Sequence, residues 1–252
     1  MALRFDVSEL KKEITVFEDM TKRYLKPGAS LLLKEAASQL DYISGRSTDK
    51  GINWSIGRDR PIVTRDSIGE YARGAEGALS VEAEISFIWQ LLPIREKGKS
   101  GRARQVELAG LASTLVRIVD IGQSGTRNEV AAWRMEIADD AAPGTYFHVQ
   151  VLGRDADVVF PKSLDVPRLP GVLATPFACM EFVIAELFQD GWARDGGVDT
   201  GANALWRGIQ AYRHTKQLQW HLDEIARTGG SPWLAWKRAT PPSDLFLPSA
   251  RK

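Results

Sequence analysis

Three absences narrow the chemistry before any pattern is read. The 252-residue chain has a single cysteine, Cys179, which excludes an internal disulfide framework and any zinc site built from several thiolates of one chain. It has no excess of charge of either sign: 33 Lys and Arg against 32 Asp and Glu leave a net charge of +1, so no global field draws it to nucleic acid. Binding of an anion must then come from a local patch. It also lacks a long apolar run, since the stretch from Pro176 to Phe188 is broken by Glu181 and Glu186 and falls short of the ~20 residues a spanning helix needs. The N-terminal MALRFDVSELKKEITVF has no apolar h-region of a secretory signal. These features lead us to expect a soluble cytoplasmic protein with no membrane partner.

Several catalytic signatures are missing as well. LLPIREKGKSGRARQ contains Gly-Lys-Ser, but the position where a phosphate-binding loop needs its first glycine is Pro93, which has no amide to donate and cannot take positive φ. No Gly-x-Ser-x-Gly elbow occurs; Gly122 to Thr126 is one residue too short and reads as a hairpin loop. Dinucleotide fingerprints are absent, and Asp155-Ala156-Asp157 has no second carboxylate pair beside it for a two-metal site. His214 and His221 share a helix face but stand about 10.5 Å apart along the axis, too far to grip one ion. His221 with Glu224 offers at most two ligands, so no metal or cofactor is expected. Cys179 lies between Ala178 and Met180, the setting of a small buried hydrophobe rather than a nucleophile.

What is present is ordinary globular material: 44% hydrophobic and 26% charged residues. Val7, Leu10, Ile14, Phe17, Thr21 and Tyr24 form a helical stripe over Val7 to Leu25, with Asp6 and Glu9 placed as a capping box. After Pro27-Gly28, Leu31, Leu32, Leu33, Ala36, Ala37 and Leu40 make a second helix, so residues 1–50 read as a helical hairpin, either a cap on the core or a dimerisation element. Residues 44–80 show no sustained period and read as loops with one short helix near Ser67 to Arg73, a hinge with local positive charge from Arg58, Arg60 and Arg65.

The period then changes to two. Val81, Ala83, Ile85, Phe87, Trp89 and Leu91 alternate with Glu82, Glu84, Ser86, Ile88 and Gln90, and further strands are expected in LASTLVRIVDIG, VAAWRMEIA and TYFHVQVLG, the last pair joined at Ala142-Pro143-Gly144. DVPRLPGVLATP favours extended backbone. Thr175-Pro176 caps the helix FACMEFVIAELF, and Leu205, Ile209, Tyr212, Thr215, Leu218, Leu222 and Ile225 predict the buried side of a long helix from Ala202 to Arg227 that stops at Gly229-Gly230. The fold expected is α+β: an antiparallel sheet of about four or more strands packed on C-terminal helices, with the hairpin in front. We divide it into the hairpin, a core of residues 51–230 and a Trp- and Pro-containing tail of residues 231–252.

Alternation also supplies the one candidate site. If Phe147, Val149 and Val151 point inward, Tyr146, His148 and Gln150 line the opposite, water-facing side, joined by Arg134, Glu136, Glu82, Glu84, Ser86 and Gln90 from neighbouring strands and rimmed by Arg154 and Arg168. Arg95, Lys97, Lys99, Arg102 and Arg104 form a basic loop able to neutralise phosphates, and Trp233 and Trp236 make the tail too apolar to be inert. The expected function is a non-enzymatic binding or assembly subunit engaging a protein or nucleic-acid partner through that polar face, the basic loop and the tail. One alternative is a hydrolase or nuclease of unfamiliar type with His148 as general acid or base, Glu136 orienting it and Arg134 or Arg154 holding an anionic substrate. A small-molecule sensor is another.

Overall fold

A computed structural model describes residues 2–72, 78–95, 101–122, 125–138, 145–152, 168–172, 174–232, 236 and 239–247. They form four α-helices and one nine-stranded antiparallel sheet, an α+β fold. The expected tip residues Lys97 and Lys99, together with Ala142 to Gly144, Arg154, the Asp155-Asp157 pair and Trp233, lie outside the described residues.

The chain opens with β1 (Arg4–Asp6) and α1 (Val7–Thr21). The Asp6 carboxylate accepts from the backbone N–H of Ser8 (2.8 Å) and Glu9 (3.2 Å), satisfying two of the donors a helix start leaves unpaired. The helix ends at Thr21, earlier than its stripe suggests, because Leu25 pairs as an extended residue with Thr64. Gly28, at φ 99°, makes the left-handed turn into α2 (Ala29–Gly45).

The next segment corrects our reading of residues 44–80. It contributes β2 (Ile52–Ile56), β3 (Ile62–Val63) and β4 (Ser67–Ile68), all paired with β5 (Ser80–Ile94), and a 3-10 turn at Glu70–Ala72. It is thus part of the sheet rather than a hinge. The strands are too short for a periodic signal, and long-range pairing with β5 holds them. Trp54 of β2 is fully buried, its indole donating to the Ala36 carbonyl of α2 (2.9 Å). β2 is an edge strand, and Gln39 occupies both backbone groups of Ser55 (2.8 and 3.0 Å), blocking a template for unwanted pairing.

The rest of the sheet runs through β6 (Gln105–Ile121), β7 (Arg127–Ile137) and β8 (Phe147–Val151) to a short edge strand, β9 (Arg168–Pro170), in the order β2-β5-β6-β7-β8-β9. β1 also pairs with β6. Pro170 has the extended backbone expected of it within β9 and sits where no further strand among the described residues needs its missing donor.

The helices α3 (Pro176–Gly196) and α4 (Gly201–Thr228) complete the fold. Thr175 caps α3 by accepting from Ala178 N–H (3.2 Å). Phe177 of α3 joins the layers, its ring centroid 5.6 Å from Phe17 of α1 and 6.0 Å from both Trp54 and Phe87 of the sheet. A contiguous buried cluster runs from Leu3 to Phe246, drawing on all three of the segments into which we divided the sequence.

The buried side of α4 is not the one its leucines predict. Leu205, Leu218 and Leu222 are 49%, 50% and 60% exposed, while Asn203, Trp206, Gln210, Arg213, Gln217, Trp220 and His221 face inward. The reason is a partner for the polar groups: Glu13 of α1, fully buried, accepts through Oε1 from Arg213 Nη1 (2.5 Å), Thr175 Oγ1 (2.6 Å) and Gln210 Nε2 (3.1 Å). Among the described residues no helix is long and apolar enough to cross a membrane.

Candidate polar sheet face and its recess

Register converts the alternation into rows. Residues directly opposite on adjacent strands share a face, so Ser55, Ile88, Ser113, Glu136, His148 and Pro170 form one row across the sheet, and Ser86, Leu115, Arg134, Gln150 and Arg168 the next. His148, Gln150, Arg134, Glu136 and Ser86 therefore share one side, with Phe87, Trp89, Met135, Ile137 and Phe147 on the other, as alternation requires.

The character of that face differs from expectation. We expected a flat, water-facing tier; instead His148 and Gln150 are 5% and 4% exposed, and Ser86 and Ser113 are buried too. Polar groups bond one another here and leave little for water. His148 Nδ1 lies 3.0 Å from the Thr145 carbonyl and Nε2 lies 3.2 Å from Glu136 Oε2. Arg134 donates to Gln150 (2.8 Å) and pairs with Glu136 at 3.5 Å. Burial of the Glu136 carboxyl opposes its ionisation, but contacts with His148, Arg134 and Ser113 outweigh this and hold it below the ordinary carboxylate range. Tyr146 does not belong to the tier: it is buried in the main core with its ring against Phe147, because it precedes the paired residues of β8.

A second charged cluster occupies the far end of the same strands. Glu82 is completely buried between Lys26 and Arg127; Arg127 also reaches Glu84 (2.6 Å), and Arg117 spans Glu84 (2.8 Å) and Glu129 (2.6 Å). Lys26 is held above its ordinary range because, against burial, Glu82 and Asp66 stabilise its charge.

Beside the first cluster lies a recess of about 300 Å³, lined by Ser55, Ile56, Gly57, Arg58, Ser86, Phe87, Ile88, Ser113 and Leu115. Ser113 links it to Glu136. Arg58 stands exposed at this recess and makes no ion pair among the described residues. Sequence reasoning noted Arg58 only as local charge and missed Ser55, Ser113 and Leu115; the serines interrupting apolar strands were the available signal.

The remaining candidates scatter. Arg95 donates to the carbonyls of Gly45 (2.8 Å) and Arg46 (3.1 Å) at the end of α2, and Arg102 reaches Asp41 (3.3 Å), so part of the basic loop is tied to the chain itself. Arg104 is exposed next to β6. Arg168 lies opposite Gln150 on β9. Trp236 packs back, its ring 5.3 Å from His221, rather than standing free for a partner.

Cys179 is buried, and burial pushes its thiol above the ordinary range. No cluster of His, Cys, Asp or Glu among the described residues is arranged to hold a metal ion. No family model matches the chain, and neither a curated protein nor a solved structure matches it.

Proposed function

We propose that the chain is a non-enzymatic binding module that docks an acidic segment of a protein partner on the polar sheet face, with Arg58 and the serine hydroxyls of the recess as its contacts. One observation carries the reading. Among the cations with described side chains, Arg134 is taken up by Gln150 and Glu136, and Arg117, Arg127 and Lys26 by Glu82, Glu84, Glu129 and Asp66, whereas Arg58 is exposed and without an ion pair at the mouth of a cavity. A guanidinium beside hydroxyl donors and the apolar Ile56, Ile88 and Leu115 suits a carboxylate on an aliphatic stem. Binding is favoured over turnover because both ring nitrogens of His148 already have partners and the ring is 5% exposed. A protein is favoured over nucleic acid because Arg95 and Arg102 are engaged by α2.

Fluorescence anisotropy with a labelled peptide rich in Glu and Leu tests this. The peptide should bind, and Arg58→Glu should weaken it by about tenfold or more, since a charge-assisted hydrogen bond is worth about 1.5–3 kcal/mol. Ser86→Leu, which fills the recess, should do the same. Equal binding by all three proteins, no binding, or tighter binding of an oligonucleotide would refute the proposal. So would hydrolysis of an ester or phosphate that His148→Gln abolishes.

A further inference from the structure

The outward side of α4 carries a pattern that its own domain does not use. Gly201, Ala204, Gly208, Ala211, Thr215, Leu218, Leu222 and Ile225 are alternately three and four residues apart along the whole helix, and none is charged. That is the spacing of a coiled-coil seam. In the folded chain this seam is exposed except for half-buried Ile225, because the opposite face holds Trp206, Arg213 and Trp220 against the core. Single exposed leucines are unremarkable; a continuous seam of this period is a helix-pairing surface.

We propose that this seam pairs two copies of the chain, α4 against α4 in antiparallel orientation about a two-fold axis. Size complementarity selects the second copy. The N-terminal half of the seam is small (Gly201, Ala204, Gly208, Ala211) and the C-terminal half large (Leu218, Leu222, Ile225). Antiparallel pairing sets Leu222 of each copy against Ala204 of the other, Leu218 against Gly208, Ile225 against Gly201 and Thr215 against Ala211. Each bulky knob then meets a hole, in one self-consistent register. Parallel pairing would oppose leucine to leucine and glycine to glycine.

Two further features fit. A recess of about 320 Å³ opens between α1 and the small-residue half of α4, lined by Ala204, Leu205, Gly208, Ile209 and Tyr212 with Phe246, so the leucine end of the second copy has somewhere to sit. Its rim carries Glu9 and Lys12, and the flank of the leucine end that would lie over it carries Lys216 and Asp223, one charge of each sign on either side. The helix is about 42 Å long and about 10 Å across, so the seam covers about 400 Å² per copy. That is about half of the ~800 Å² per partner in a standard interface, which points to a reversible dimer with a Kd on the order of micromolar.

Sedimentation equilibrium across a concentration series spanning that range tests the pairing. The wild-type chain should move reversibly between one and two copies. Leu222→Lys should weaken dimerisation by about a hundredfold or more while leaving the melting temperature of the single chain, read well below that Kd, unchanged, since the position is 60% exposed. Orientation is read by mixing Ala211→Cys protein with Thr215→Cys protein under mild oxidation. A disulfide between the two different variants, and not within either alone, is expected; buried Cys179 does not compete. A wild-type chain that stays single throughout overturns the proposal. So does unchanged dimerisation of Leu222→Lys, or a disulfide formed by Thr215→Cys with itself in preference to the mixture.

Discussion

Glu13 offers the sharpest energetic test of how the helical layer is held. Its carboxylate is fully buried, and Arg213, 5% exposed, stands 2.5 Å away with Thr175 and Gln210 completing the set. Removing the acid alone, as in Glu13→Leu, leaves a guanidinium enclosed without its counter-charge. Breaking a buried pair in this way costs about 3–5 kcal/mol. For a chain of this size each kcal/mol moves the midpoint by about 2–4 °C, so Tm should fall by about 6–20 °C.

Arg213→Met should cost a similar amount for the mirror reason. The double variant should recover most of the loss, because replacing both charges with apolar groups removes the desolvation that each single change leaves uncompensated. Urea unfolding of the four proteins gives the coupling energy directly. Two single variants that each lose less than about 1 kcal/mol, or a double variant whose loss is the sum of the two, would refute the claim that this pair fixes α4.

Other outcomes follow from the same packing. Trp54→Ala removes a fully buried indole together with its bond to Ala36, and should cost about 3–5 kcal/mol by denaturant titration. Thr175→Val deletes both the α3 cap and a donor to Glu13, and should lower stability by about 1–3 kcal/mol in the same assay. Cys179 should resist a thiol reagent in the native chain and react once urea unfolds it, because burial disfavours its thiolate. Burial lowers the pKa of His221 and of His214, where Arg213 adds to the effect, so the unfolded chain binds more protons just below the ordinary histidine pKa of about 6.5. Their stabilisation is present above that value and is lost as pH falls through the depressed folded pKa; Tm should drop over this window, and His221→Phe should flatten the slope.

The longer strands β5 to β8 were legible in the sequence because burial there is local information, whereas the two- to five-residue strands β1 to β4 were too short to show a period. Phe87, Trp89, Met135 and Ile137 declare one face within a few residues of each other, and the rows across β5 to β8 follow from register. Exposure was not legible. His148 looks water-facing beside Val149 and Phe147, yet its partners, Glu136 and the Thr145 carbonyl, enclose it. The rotation of α4 was hidden for a related reason: Gln210 and Arg213 read as solvent-facing until Glu13 is known to await them, 197 and 200 residues away, as do Asn203 and Gln217 until the carbonyls of Asp195, Val198 and Gly171 are placed beside them. A signal did exist in the spacing of Trp206, Arg213 and Trp220, seven residues apart on one line of the helix.

Magnitudes explain why α4 keeps its leucines outside. Turning the helix to bury Leu205, Leu218 and Leu222 would gain about 5–9 kcal/mol at the usual 1.5–3 kcal/mol for each side chain. It would expose Trp206 and Trp220, which bury about 150–250 Å² each and so contribute about 8–12 kcal/mol together. The indoles alone give only a narrow preference. Separating Arg213 from Glu13 adds a penalty of about 3–5 kcal/mol to the turned state, and this decides the orientation. The charged network inside therefore governs the apolar seam outside: if Glu13→Leu lets α4 rotate, the leucine row turns inward, and dimerisation should weaken even though Glu13 lies nowhere on the pairing surface.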